Sequence, residues 1–246
     1  MQQIELNKAI VRDFYRRVLA NGDLAYAEQI TADDYIQHSP TVKPGKAGLL
    51  EALRYMSQLP KPASPAKPFL RLIAEGEYVV TNLSFVLGGQ PKAVVDLFRL
   101  RNGQMVEHWD AIEDQPETSP NGHPMLNGAT EIEDHAMTER NKDIVGRFFQ
   151  PVFIEHRFDW LADFVAPELM QHHPEIANGL DGLQKYLSEK NDRLTVQTVL
   201  RTIAEGNFVV VQSAGQFLQK PATFYDIFRL LNEKIVEQWS VKQVMP

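Results

Sequence analysis

Apolar residues fall at helical spacing over residues 5–20, where Ile10, Val11, Phe14, Val18 and Leu19 gather on one side and charged residues fill the other. This pattern predicts an amphipathic helix. Asn21-Gly22-Asp23 stops it and starts a second short helix over 24–30. Tyr35-Ile36-Gln37-His38 reads as a short strand closed by Pro40, which has no ladder donor. A third helix over 48–58 sets Leu49, Leu50 and Leu53 on its apolar side. Then the period changes. Residues 71–74, 78–87, 93–101 and 105–112 are rich in β-branched and aromatic side chains, with turns at Glu75-Gly76, Gly88-Gly89 and Asn102-Gly103. Helices followed by a four-stranded antiparallel meander make an α+β unit.

The whole pattern then returns. Asn7-Lys8-Ala9-Ile10-Val11 recurs as Asn141-Lys142-Asp143-Ile144-Val145, and Gln37-His38-Ser39-Pro40 as Gln171-His172-His173-Pro174, both 134 positions later (141−7 and 171−37). Arg71-Leu72-Ile73-Ala74-Glu75-Gly76 recurs as Arg201-Thr202-Ile203-Ala204-Glu205-Gly206, and Asp96-Leu97-Phe98-Arg99-Leu100 as Asp226-Ile227-Phe228-Arg229-Leu230, 130 positions later (201−71 and 226−96). A four-residue deletion after Leu53/Leu187 reconciles the registers (134−130). The chain of 246 residues therefore divides into domains at 1–115 and 139–246. Between them, Pro116, Pro120, Asn121-Gly122, Pro124 and Asn127-Gly128 make 116–138 an irregular linker, in which Met125 and Leu126 can dock against a domain. The loop 60–68, with Pro60, Pro62, Pro65 and Pro68, holds the residues missing from the second copy and is read as a gate.

Composition narrows the function classes. Hydrophobic residues at 43% and charged residues at 23% are ordinary for a globular protein, so no fibrous or disordered class applies. There is no cysteine, which excludes disulfides and thiolate metal sites and fits a reducing compartment. No apolar run reaches membrane-spanning length, and Met-Gln-Gln-Ile-Glu-Leu lacks the form of a signal peptide, so a cytoplasmic protein without a membrane partner is expected. Net charge is −7 with basic residues scattered, which argues against a nucleic-acid surface.

Strand alternation sorts the polar side chains. One face of 93–101 carries Val94, Asp96, Phe98 and Leu100; a carboxylate there must be paired or hydrogen-bonded. On the last strand Val106, His108, Asp110 and Ile112 share a face, so an imidazole and a carboxyl are neighbours among apolar residues and can be tuned for proton transfer. The opposite faces pair Arg99 with Glu107 and Arg229 with Glu237, with Trp109 and Trp239 as outer packing. Asp96, Arg99, Glu107, Trp109 and His38 persist in the second copy. His108 becomes Gln238 and Asp110 becomes Ser240, so the first copy is the one equipped for chemistry. A metal site from His38, His108 and Asp110 lacks any supporting His or Cys cluster, and phosphate or dinucleotide fingerprints are missing; neither metal nor cofactor is expected.

The segments Tyr35–Pro40, Val95–Leu100, Asn102–Asp110 and Asn121–Met125 resemble the SnoaL-like polyketide cyclase branch of the NTF2-like, ketosteroid-isomerase-like superfamily, in two tandem copies. The resemblance implies two tandem cone-shaped (cystatin-like) α+β barrels, each with helices packed in a curved antiparallel sheet open at one end to an apolar pocket. It places an oxyanion-binding Tyr at Tyr15 and its partner Asp at Asp96. The base of the steroid isomerases falls on Ser39, which cannot serve, so His38 or the His108/Asp110 pair must replace it. The cyclases' acid/base Asp maps to Asp110. In the second copy Tyr15 becomes Phe149. The implied function is a cofactor-independent aldol cyclisation or isomerisation of a small apolar, enolisable carbonyl compound, a lyase- or isomerase-type activity. The rival is a non-catalytic binder of a small apolar ligand. Domains of this superfamily pair through outer sheet faces, so an internal pseudo-dimer with the second copy as scaffold is implied, and further pairing into a homodimer is left open.

Overall fold

The computed structural model describes residues 2–59, 69–189 and 193–245. The expected proline-rich gate at 60–68 lies outside the described residues. In the first repeat, α1 (Gln2–Asp13) runs into a π-helical segment, Phe14–Leu19, in which Ala20 N–H donates to the Tyr15 carbonyl at 3.0 Å. The expected helix over 5–20 is thus widened in its last turns. The extra residue per turn shifts the apolar stripe, and Phe14, Tyr15 and Val18 are all buried. Gly22, at φ +75°, turns the chain, and the Asp23 side chain caps α2 (Leu24–Ile30) by accepting from Tyr26 N–H at 3.0 Å. Next come β1 (Thr31–Gln37), α3 (Gly45–Ser57), β2 (Arg71–Glu75), β3 (Tyr78–Leu87), β4 (Gln90–Arg101) and β5 (Gln104–Asp114).

The sheet runs β1-β5-β4-β3-β2. Its meander is antiparallel as expected, but the sheet is mixed, because β1 pairs parallel with β5. This corrects the purely antiparallel sheet. A strand about 70 residues away in sequence is not bound to a hairpin, and β1 closes the free edge of β5. Its register shifts between Thr31 and Ile36, a bulge that brings Gln37 level with His108.

The second repeat has the same plan: α4 (Thr138–Phe149), a π-helical Gln150–Ile154, α5 (Leu161–Phe164), β6 (Val165–Gln171), α6 (Gly179–Glu189), β7 (Leu194–Glu205), β8 (Phe208–Phe217), β9 (Lys220–Leu231) and β10 (Lys234–Val244). The sheet order is β6-β10-β9-β8-β7, with β6 parallel to β10. The repeated motifs have structural reasons. Asn7 on α1 donates to the Gly76 carbonyl at 3.0 Å, and Asn141 on α4 to the Gly206 carbonyl at 2.9 Å, so each first helix is pinned to the turn after its first meander strand. Buried Arg71 donates to Asn82 at 2.8 Å, and Arg201 likewise to Gln212. The core of the second repeat is dense in aromatics, with Phe148, Phe149, Phe153, Phe164 and Phe228 buried together.

The compact units are Met1–Phe85 with Val95–Asp110, and Val86–Val94 with Ala111–Pro246. The segment joining the repeats belongs to the second unit. Met125 and Leu126 are buried, and the segment crosses the outer face of the second sheet as a strap. Its Pro124 carbonyl meets His172 Nδ1 at 3.0 Å, its Asn127 carbonyl accepts from Trp239 Nε1 at 2.8 Å, and Glu133 and Asn207 exchange two hydrogen bonds at 2.9 and 3.0 Å. Among the described residues no helix is long and apolar enough to cross a membrane.

Candidate active site

Three elements of the first repeat converge on one buried polar cluster. Tyr15 comes from the π-helical turn, Asp96 from β4, and His108 and Asp110 from β5. The Tyr15 hydroxyl donates a short hydrogen bond to Asp96 Oδ2 and lies 2.7 Å from Thr81 Oγ1. The other Asp96 oxygen, Oδ1, is 3.2 Å from His108 Nε2. The Phe98 ring packs against the imidazole at 4.8 Å between centroids. Side-chain exposures of 13% for His108 and 15% for Asp96 make this pair part of the interior rather than of the surface.

Burial and charge set the protonation states. Burial and the adjacent Asp96 hold the Tyr15 phenol well above its ordinary value, so Tyr15 is a hydrogen-bond donor and not a phenolate. Burial also raises Tyr35, with Asp110 and Asp96 adding to it. Burial alone would lower His108, but the hydrogen bond and charge of Asp96, with Asp110 behind it, outweigh this and raise it. Burial raises Asp110 from its ordinary value; His108 and a hydrogen bond from Ser39 pull the other way without cancelling it. Its Oδ1 is buried with no hydrogen-bond partner. Such an oxygen is costly to keep, and sites that keep one commonly use it.

Tyr15, Asp96 and His108 are hydrogen-bonded in one chain, and Asp110 lies within electrostatic reach of it. His38 is elsewhere. It lies on the outer face, 2.8 Å from Glu107 Oε1 and stacked on Trp109 at 4.6 Å with a 3° tilt. The geometry does not bring it to the cluster, because its backbone follows Gln37 by one residue and alternation turns it outward. His38, His108 and Asp110 therefore do not converge on one point. Arg99 donates to Glu107 at 2.7 Å, as strand alternation predicts, and Arg229 to Glu237 at 2.7 Å. Burial raises the Glu107 carboxyl, but hydrogen bonds from His38 and Arg99 outweigh it and hold it low.

Four further side chains belong to the cluster without being candidates from strand alternation: Gln37, Ser39, Thr81 and Tyr35. Gln37 Oε1 lies 3.0 Å from His108 Nδ1 and accepts from Ser39 N–H at 3.0 Å, while its Nε2 donates to the Tyr35 hydroxyl at 3.2 Å. A signal for three of them exists in the repeat, where Ser39 becomes His173. Tyr35 becomes Leu169 and Thr81 becomes Val211, losses that accompany those of Tyr15, His108 and Asp110.

The second repeat shows the emptied frame. Gln171 Nε2 donates to Gln238 Oε1 at 2.7 Å, and Gln238 Nε2 to Asp226 Oδ1 at 3.3 Å. The Gln238 amide replaces the imidazole, and Phe149 fills the place of Tyr15. A cavity lined by Phe153, His156, Tyr186 and Val196 has a volume of about 10 Å³, room for roughly one water.

Residues 11–108 match the SnoaL-like domain family. No curated protein matches the sequence at significance. Solved structures similar to this chain include an NTF2-like protein of unknown function from Burkholderia xenovorans, 24% identical, over 46% of this chain and 87% of that one (TM-score 0.38). A candidate polyketide cyclase from Streptomyces antibioticus is 16% identical over 43% and 95% (TM-score 0.37). A candidate ketosteroid isomerase from Kribbella flavida is 18% identical over 53% and 94% (TM-score 0.38). Residues 11–108, within the first repeat, thus match a SnoaL-like domain, and the second repeat has the same strand order and the same pinning contacts as the first.

Proposed function

We propose that the first repeat is a cofactor-independent acid/base site for a small, apolar, enolisable carbonyl compound, catalysing aldol-type ring closure or isomerisation. Asp110 takes the α-proton as general base. Tyr15 supplies a proton donor for the developing enolate oxygen by turning its one O–H away from Asp96, and His108 sets the charge around both carboxyls. A preorganised donor of this kind contributes about 3–4 kcal/mol of transition-state stabilisation. The observation that carries the reading is the Asp110 carboxyl: one oxygen buried without a partner, raised in pKa, and absent from the second copy.

A second reading has one observation in its favour. Tyr15, Asp96 and His108 satisfy one another, as a purely structural network would. The first repeat would then bind an apolar ligand without chemistry. Deuterium incorporation at the α-carbon of a panel of cyclic ketones separates the two. Wild type is expected to catalyse it, and Asp110→Asn to slow it by about 10²–10⁴-fold. Equal rates for the two proteins would overturn the acid/base reading and leave binding.

A further inference from the structure

We propose that Gln37 is a positioning residue that fixes His108 as the Nδ1–H tautomer, so that the proton His108 can transfer is the one on Nε2, facing Asp96. The inference begins with an atom that has no choice. The Ser39 backbone N–H can only donate, so the Gln37 atom it meets at 3.0 Å is the carbonyl oxygen. That settles the orientation of the whole amide and sends Nε2 to the Tyr35 hydroxyl. The same carbonyl oxygen lies 3.0 Å from His108 Nδ1. A carbonyl cannot donate, so Nδ1 must carry a hydrogen.

One position then remains variable. Nε2 and Asp96 Oδ1, 3.2 Å apart, are placed to hold one proton between them. On nitrogen the pair is imidazolium and carboxylate; on oxygen it is neutral imidazole and carboxylic acid. Moving the proton leaves the net charge of the pair unchanged and needs no other reactant. Asp96 Oδ2 is meanwhile held by Tyr15, so a proton arriving at Asp96 weakens its hold on the Tyr15 O–H and frees that donor. The groups that face the ring are Asp96 from β4, Gln37 with Tyr35 behind it from β1, Asp110 from β5, and Phe98. The second repeat retains Gln171 at the matching position, but Gln171 meets the Gln238 amide and has no ring to orient.

The catalytic consequence rests on the acid/base reading above; the tautomer does not. The test uses the full chain labelled with ¹⁵N-histidine, with His108 assigned by its loss in His108→Gln. At a pH where His108 is neutral, its ¹⁵N shifts are expected to show hydrogen on Nδ1 and a lone pair on Nε2. Gln37→Leu, which removes the acceptor, is expected to move the ring towards the Nε2–H form, and Gln37→Glu to retain Nδ1–H. A wild-type ring with hydrogen on Nε2, or a Gln37→Leu ring still in the Nδ1–H form, would overturn the proposal. If Gln37→Leu fails to fold, the wild-type and Gln37→Glu spectra still decide. In the ketone exchange assay Gln37→Leu is expected to lose about tenfold or more, with Gln37→Glu restoring most of it. No spectrum here needs substrate, so an active Asp110→Asn protein would defeat the acid/base reading and leave the tautomer result standing.

Discussion

A carboxyl in an apolar interior does different things depending on what stands beside it. Asp96 has a phenol and an imidazole as partners. Its counterpart Asp226 is raised to about 6, chiefly by burial, with Ser240 and Gln238 hydrogen bonds opposing it. A folded-state pKa above the unfolded value means that the folded protein holds a proton the unfolded chain has already lost. Stability therefore falls as pH rises from about 4 through 6. The shift from 3.8 to about 6 corresponds to about 3 kcal/mol at full ionisation. Denaturant unfolding across this range is expected to show Asp226→Asn losing less stability than wild type as pH rises. Parallel curves would show that Asp226 ionises without penalty. At this scale sequence is informative where alternation or repetition singles out a residue. Asp96, His108 and Asp110 stand out because two strands alternate cleanly and one copy has lost the pair. Gln37 does not, because its role depends on a register that β1 acquires through a bulge, and no local pattern encodes a parallel partner 71 residues away. His38 is next to Gln37 in sequence and on the other face in space.

At the scale of elements, the strap shows what the irregular linker is for. It lays Gly128, at φ +92°, against a plate made by His172, Trp239 and Glu237. His172 stacks on Trp239 at 4.9 Å and lies 3.0 Å from Glu237 Oε1, and the strap's Ala129 N–H reaches the same oxygen at 3.3 Å. A Cβ on Gly128 would stand 2.0 Å from Glu237 Oε1 and 2.9 Å from His172 Nε2. Glu237 is fully buried and tied to His172 and Arg229, so it has nowhere cheap to go. Gly128→Ala is expected to cost about 2–4 kcal/mol and to open 121–133 to limited proteolysis. Unchanged stability and protection would mean that the strap is ornamental. The strand meander and its turns are legible in the sequence because alternation and Asn-Gly or Gly-Gly pairs mark them. The strap is not, because its contacts are backbone groups meeting a distant sheet, and only the buried Met125 and Leu126 hint that it docks.

For the whole molecule, duplication explains both what repeats and what differs. The residues kept in both repeats hold the frame: Asn7 and Asn141, Arg71 and Arg201, and the Glu–Arg–His–Trp plates. Tyr15, His108 and Asp110, which the second copy lacks, gather inside the first repeat. The second interior is closed by Phe149, Phe153, Phe224 and Phe228, each buried and each contributing about 1.5–3 kcal/mol of apolar transfer. The second repeat also shows that the frame folds with an amide and a hydroxyl where the first has His108 and Asp110. The most direct measurement is therefore α-proton exchange in a protein carrying His108→Gln together with Asp110→Ser, the residues of the second repeat, with thermal unfolding recorded alongside. The account predicts a folded protein whose exchange falls to the uncatalysed background; a folded protein that still exchanges at the wild-type rate would contradict it.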